Sequence, residues 1–362
     1  MSPPGPQALV RELLERLMRR QHVAGLQYLF SAGGQVLMEH SAGLAETLRS
    51  VPVTHATTFN LYSITKPCTA ACALAHAQAG AFGLDDPVSA ACGLDTLRAF
   101  GTVRETLLHR AGFPNPMPLR WIHLAQEDAG FDEAGFVAQR LKALEGMHPR
   151  RGRAAYSNLG YLAIGRALER ASGLPFRRAL QQTLLDRLAP LEGARLGFTL
   201  TDLHARGQMR RHGLLALALG WLVDRQRIVE GTSGRWQQLR LHHVDGSAYG
   251  GLMGNARGLA GFGHAALGLV EGLAPAVREA LLAPAPGHGR PRTLAFFEGR
   301  LDGRRWLGHA GGGLGAYGEM RLYPAVGAVS VLLTNAPGLR EHRWLDTLDA
   351  PWLAEHRAVA EA

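Results

Sequence analysis

Lysine is almost missing from this chain of 362 residues: it stands only at Lys66 and Lys142, so arginine carries nearly all of the 39 positive charges. A reaction that needs a deprotonable amine has two candidates. Cysteine is scarce as well. Cys68, Cys72 and Cys92 are odd in number and two lie four apart on one helical face, which suits neither a disulfide framework nor a zinc-finger spacing. They are expected as small core residues of a cytoplasmic protein. Long apolar runs are also absent: the longest, residues 213–223, falls well short of the ~20 residues that span a bilayer and is bracketed by Arg210, Arg211, Asp224 and Arg225. It is expected as a buried or lid helix, with no membrane span. Residues 1–7 are polar and proline-rich and lead into an amphipathic pattern (Leu9, Val10, Leu13, Leu14, Leu17, Met18), which describes a surface helix and not a signal peptide.

What is present is enough for a large core: 46% of residues are hydrophobic and 19% charged. The net charge of +9 is spread along the chain with no aromatic-basic recognition module beside it, so nucleic acid is not expected as a partner. Two strand-like runs, 26–32 and 35–41, flank Gly33-Gly34, where positive φ costs nothing, and predict a hairpin. An alanine-rich run, 69–79, predicts a tightly packed central helix beginning near Ser63. From about 85 to 282 the pattern is mostly helical (103–108, 136–144, 161–171, 176–188) and strand signals are scarce. They return at 294–298, 305–309, 319–323 and 328–334, before a closing helix around 352–359. Strands at both termini around a helical middle predict an α+β fold: one antiparallel sheet built from residues 1–60 and 285–362, flanked by helices, with 61–284 inserted as a mostly helical region. Residues 285–292 are the best linker candidate.

Chemistry concentrates in three places. Ser63-Ile64-Thr65-Lys66 sets a hydroxyl at a helix start and an amine one turn later on the same face, so the two can share a proton. With 11 serines and two lysines, chance predicts only roughly 0.06 such S-x-x-K matches. Tyr156-Ser157-Asn158 offers a phenol able to act as general base beside an ammonium, and an amide able to hold a substrate carbonyl and the lysine together. His309-Ala310-Gly311-Gly312 stands at the end of a predicted strand, where glycine lets a substrate lie along the edge; the N–H of Gly312 with that of Ser63 would form an oxyanion hole.

In this order the motifs resemble the serine β-lactamase and penicillin-binding-protein superfamily, with Y-x-N and H-x-G in the forms of its class C, carboxylesterase and D-aminopeptidase branch. Further matches are Thr57-Thr58-Phe59, Leu84-Asp85-Asp86-Pro87, residues 103–114, Gly250-Gly251-Leu252 and residues 308–313, and the resemblance spans about 23–335. It implies a β-lactamase/transpeptidase-like fold, Ser63 as the acylated nucleophile, Lys66 and Tyr156 as proton-transfer partners with the acylation base undecided between them, Asn158, His309 and Gly311 on the substrate side, and an oxyanion hole from the N–H groups of Ser63 and Gly312. It implies no cofactor and no metal. His309 replaces the lysine of β-lactamases, so a fixed cation for a β-lactam carboxylate is absent at neutral pH. Arg110-Ala111 departs from the Thr-Ser of the family's H-T-S-G element, and His109 is expected to be structural.

The expected activity is that of a cytoplasmic serine hydrolase acting through an acyl-enzyme on small esters or amides. The alternatives are transfer of the acyl group, including one drawn from an acyl-thioester, to an amine or alcohol, and a binding protein that lost the chemistry. Trp221, Trp236, Tyr249 and residues 213–223 are candidates for an apolar acyl site or for core. His242-His243 would alternate faces of a strand without carboxylate partners at metal-like spacing, and Cys68, Cys72 and His76 form one apolar stripe; both groups are expected to be structural.

Overall fold

Alternation in the central strands decides how helices cover them. The computed structural model describes residues 5–21, 23–116, 120–149, 154–212, 224–286, 292–337 and 343–361. Strands β1 (Gly25–Ala32), β2 (Gln35–Glu46) and β3 (Val51–Pro52) come from the beginning of the chain; β4 (Phe297–Leu301), β5 (Arg304–Gly313), β6 (Ala316–Tyr323) and β7 (Ala328–Thr334) come from its end. They form one antiparallel sheet in the order β4-β5-β6-β7-β1-β2-β3. The seam joins β1 to β7, with Leu26 opposite Thr334 and Ala32 opposite Ala328. The hairpin turn between β1 and β2 carries Gly33 and Gly34 at φ of +56° and +82°, a region costly for any residue with a Cβ.

Both strands at the seam are buried on both faces, and side chains two apart point the same way. Leu26, Tyr28, Phe30 and Leu332 pack against Val10, Leu14 and Leu17 of helix α1 (Pro6–Gln21) and against the C-terminal helix Arg343–Glu361 through Leu345, Leu348 and Trp352. Leu29, Val329, Val331 and Leu333 join the opposite core, which holds helices α2 (Thr65–Gln78), α3 (Asn158–Ser172) and α4 (Ala256–Leu267). Each such leucine or valine contributes about 1.5–3 kcal/mol by its removal from water. Helix α2 is buried on every side from Thr65 to Leu74, as its small residues predict for a central helix.

The middle of the chain, expected to be mostly helical, holds more strands than the scarce signals there suggest. It carries the ribbon Ile122–Leu124 with His242–Val244, the hairpin Val229–Ser233 with Trp236–Leu239, and the short strands Gln208–Arg210, Leu196–Gly197 and Met253–Gly254. None of these is longer than five residues, too few for a period of two to stand out against helical neighbours. The helix expected over 176–188 is Phe176–Thr183 followed by a 3₁₀ turn, Leu185–Arg187. The strand expected at 294–298 starts later, at Phe297, because Thr293 Oγ1 accepts the N–H groups of Ala295 and Phe296 and turns the chain first. Of the expected linker, residues 287–291 lie outside the described residues, as do residues 213–223. No helix among the described residues is long and apolar enough to cross a membrane.

Candidate active site

Ser63 sits in a 3₁₀ turn, Tyr62–Ile64, that runs directly into α2. Tyr62 holds φ at +46°, an uncommon and costly conformation for a residue with a side chain. Neighbouring segments hold it there. The Leu61 N–H donates to Leu252 O at 3.0 Å, and the Leu252 N–H donates to Thr65 Oγ1 at 3.1 Å. On the other side β5 presses against the turn: a Cβ on Gly311 would stand 2.1 Å from Leu61 O and 3.0 Å from Ser63 N, so only glycine fits. The strand expected to end near His309 runs on to Gly313, so His309, Gly311 and Gly312 lie inside β5, where the glycines continue the strand alongside the turn.

Three of the motif residues meet at Ser63. Lys66 Nζ is 3.0 Å from Ser63 Oγ, 2.8 Å from Asn158 Oδ1 and 2.9 Å from Tyr249 O. The Tyr156 phenol donates to Ser63 Oγ at 2.7 Å. Lys66 is 0% exposed, and burial holds its pKa well below the usual lysine value. Its amine also stands 4.8–5.4 Å from the ring centroids of Tyr156, Tyr161 and Tyr249. Asn158 opens helix α3, which is capped by Ser157 Oγ accepting from Gly160 N.

His109 supports this arrangement from behind. Its ring packs on Tyr156 at a centroid distance of 4.5 Å and on Tyr161 at 5.3 Å, and Nδ1 accepts the Ser157 N–H. Burial pushes its pKa well down, so the ring is neutral and Nδ1 can accept. His309 lies on the far side of Tyr156: its ring is 6.4 Å from Tyr156 and 5.4 Å from Phe297, and Nδ1 is 2.7 Å from Ala310 O.

A cavity of about 140 Å³ opens over Ser63, lined by Tyr62, Trp121, Ile122, Val244, Tyr249 and Leu314, with Asn158 and residues 312–313 at its polar side. Gly312 lines it; His309 does not. Of the aromatic candidates for this wall, Tyr249 belongs to it, Trp236 does not, and Trp221 lies outside the described residues. Trp121, Ile122 and Val244 carry no motif and are brought in by strand pairing. Tyr249 contributes a backbone carbonyl, which no residue type signals. Cys68, Cys72 and Cys92 are buried, and burial pushes the Cys72 and Cys92 thiols up to about 12.

A sequence model of the family described as Beta-lactamase matches residues 10–350, and the chain belongs to that family, whose members are serine hydrolases. It is 27% identical over 168 residues to penicillin-binding protein 4* of Bacillus subtilis (strain 168); the match takes in 46% of this chain and 37% of that relative, so the chain spans well under half its length. The fold is that of a β-lactamase/D-alanine carboxypeptidase from Pseudomonas syringae (TM-score 0.74, 19% identity, 96% of this chain and 98% of that one). It is equally that of a D-amino acid amidase from Ochrobactrum anthropi (TM-score 0.71, 19% identity, 98% and 99%).

Proposed function

We propose that the chain hydrolyses small neutral esters or amides through an acyl-enzyme on Ser63, with Lys66 as the base that activates it. The observation that carries this reading is the set of partners around Lys66 Nζ. Two of its three contacts, Asn158 Oδ1 and Tyr249 O, are carbonyl oxygens that only accept. A neutral amine has two N–H donors, which those carbonyls use, and one lone pair, which is left facing Ser63 Oγ. Burial favours the neutral form, so the lone pair is available for the serine proton as Oγ attacks.

Tyr156, with its hydroxyl on Oγ, is placed to pass a proton to the departing alkoxide or amine. The N–H groups of Ser63 and Gly312 stabilise the oxyanion, Asn158 holds Lys66 and the substrate carbonyl in register, and water then takes the acyl group. Gly311 serves by allowing the close approach of β5.

The cavity supports the substrate class. About 140 Å³ is the share of liquid occupied by only about five water molecules. Its walls are apolar, and no charged side chain lines it among the described residues. Short neutral acyl groups fit there; a β-lactam carboxylate finds no cation in that wall. The test is a panel of p-nitrophenyl esters of increasing chain length beside a chromogenic cephalosporin. Turnover that is highest on short esters supports the reading, and preference for the cephalosporin overturns the substrate class. Fluorophosphonate labelling that persists in Ser63→Ala overturns the nucleophile.

A further inference from the structure

The two-stranded ribbon that walls the catalytic cavity has a second face. Ile122 pairs with Val244 and both line the cavity; His123 pairs with His243, one step along, so their side chains point away from it. In the linear sequence His242-His243 have no carboxylate partner at metal-like spacing. His242 does turn elsewhere, its Nε2 3.0 Å from the Tyr62 hydroxyl. His243 does not: the chain reverses after Leu124 through the turn Ala125–Gly130 and returns Asp128 beside it, a partner that strand register supplies and linear spacing hides.

His123, Asp128 and His243 each offer one donor atom, and these atoms lie within 4.8 Å of one another. Asp128 Oδ1 is 3.0 Å from His123 Nε2, and Asp128 Oδ2 is 3.9 Å from His243 Nε2. Donors about 2.0–2.1 Å from a tetrahedral zinc ion stand about 3.3 Å apart, inside this range. Asp245 Oδ1 is 2.7 Å from His123 Nδ1, the position from which a carboxylate fixes the tautomer of a metal-bound histidine and leaves Nε2 for the metal. Beyond Asp128 and His243 lies a cavity of about 810 Å³, which leaves a side open for a fourth ligand.

We propose that His123, Asp128 and His243 bind one zinc-class divalent cation, with Asp245 orienting His123 and water in the fourth position. The cation replaces the proton shared between His123 Nε2 and Asp128, which leaves to solvent. It also displaces Arg177 from Asp128, 3.2 Å away; Arg177 keeps Glu133 at 3.0 Å and Ser247 Oγ at 2.8 Å. The bound ion ties Ile122–Leu124, His242–Val244 and the turn after them into one body, and so stiffens the wall of the ester cavity. It takes no part in the Ser63 chemistry, and the site stands whether or not that chemistry is as proposed.

The test is titration of the chelator-treated full chain, free of any polyhistidine tag, with Co²⁺ followed by its visible absorption and with Zn²⁺ followed by calorimetry. One equivalent with the intense absorption of tetrahedral Co²⁺ is expected, with no response to Mg²⁺. Asp245→Asn is expected to weaken binding about 10- to 100-fold, and His243→Gln to abolish it. Should His243→Gln fail to fold, Asp128→Asn, altered at a partly exposed side chain, gives the same reading, and Zn²⁺ should raise the Tm of the unaltered chain but not of this variant. No binding at one equivalent, or binding that persists unchanged in Asp128→Asn, overturns the proposal.

Discussion

The two faces of the ribbon Ile122–Leu124/His242–Val244 handle buried polarity in opposite ways. On the Ser63 face a single amine is taken fully out of water and given two backbone or amide carbonyls but no carboxylate, so its charge is suppressed and its lone pair retained. On the other face two basic groups have close carboxylates: His123 has Asp128 and Asp245, and Arg177 has Asp128 and Glu133. Desolvation bears on both sites. Between Lys66 and His123, the presence or absence of close, hydrogen-bonded carboxylates sets the direction of the shift. At Lys66 burial acts unopposed, and the pKa falls; at His123 burial is overcome by the hydrogen bonds its ring donates to two aspartates, and the pKa rises.

The harshest way to break this contrast is to remove the amine. Lys66→Ala and Tyr156→Phe should each lower kcat/KM on a short p-nitrophenyl ester by about 10²–10⁴. If the two groups act as one proton-transfer unit, the double variant costs little more than either single one. Multiplying losses in that cycle would show separate roles.

A smaller but more specific effect is expected from pH. With Lys66 as the proposed base and its pKa depressed by burial, activity is expected when it is neutral and is lost as pH falls through that lowered value. The acidic limb of kcat/KM should therefore inflect well below the pH at which a free lysine titrates. Carboxylates around Lys66 would move the limb the other way: Asn158→Asp, which places a negative charge 2.8 Å from Nζ in place of an amide, should shift it to higher pH. A pH–rate profile of the two proteins checks both statements.

Gly311→Ala sets packing against chemistry. The new methyl group collides with Leu61 O, and the strain should cost about 1–3 kcal/mol of stability by denaturant titration. It should also reduce turnover by displacing the Ser63 turn. Loss of stability with full kcat would mean that the turn does not need β5 for its geometry.

Val244→Ala should leave the rate on acetate esters nearly intact and shift preference toward longer acyl chains, where one methylene in an apolar pocket is worth about 10- to 200-fold. The smallest effect belongs to the opposite face: Asp128→Asn should change ester turnover in chelator-treated protein less than twofold, as the surroundings of Lys66 are untouched. A large loss there would couple the two faces.

What could be read from the sequence follows the range of each interaction. Ser63 and Lys66 are one helical turn apart, Tyr156 and Asn158 two residues apart, and such local spacings survive in a linear string. The seam strands β1 and β7 were legible because they are long and largely apolar. The short strands Ile122–Leu124 and His242–Val244 carry no comparable pattern, and everything that depends on their pairing was hidden with them: Trp121, Ile122 and Val244 in the cavity wall, and His123 and Asp128 beside His243. Tyr249 was visible only as an aromatic, since its backbone oxygen looks like any other.

The seam between β1 and β7 has a bearing on how the protein is made. As the chain leaves the ribosome, β1 and β2 can form their hairpin early, but the edge of β1 that receives β7 stays open until residue 334 has emerged. The Ser63 turn is in the same position, because the strand that props it holds Gly311. Domains generally fold from the N-terminus during synthesis, and contacts between distant residues are slow to form. Here Ser63 is translated long before the strand that props its turn, and the turn is complete only when that strand arrives. The exposed edge of β1 is thus a stretch where a chaperone, or a second nascent chain, would find an unpaired strand.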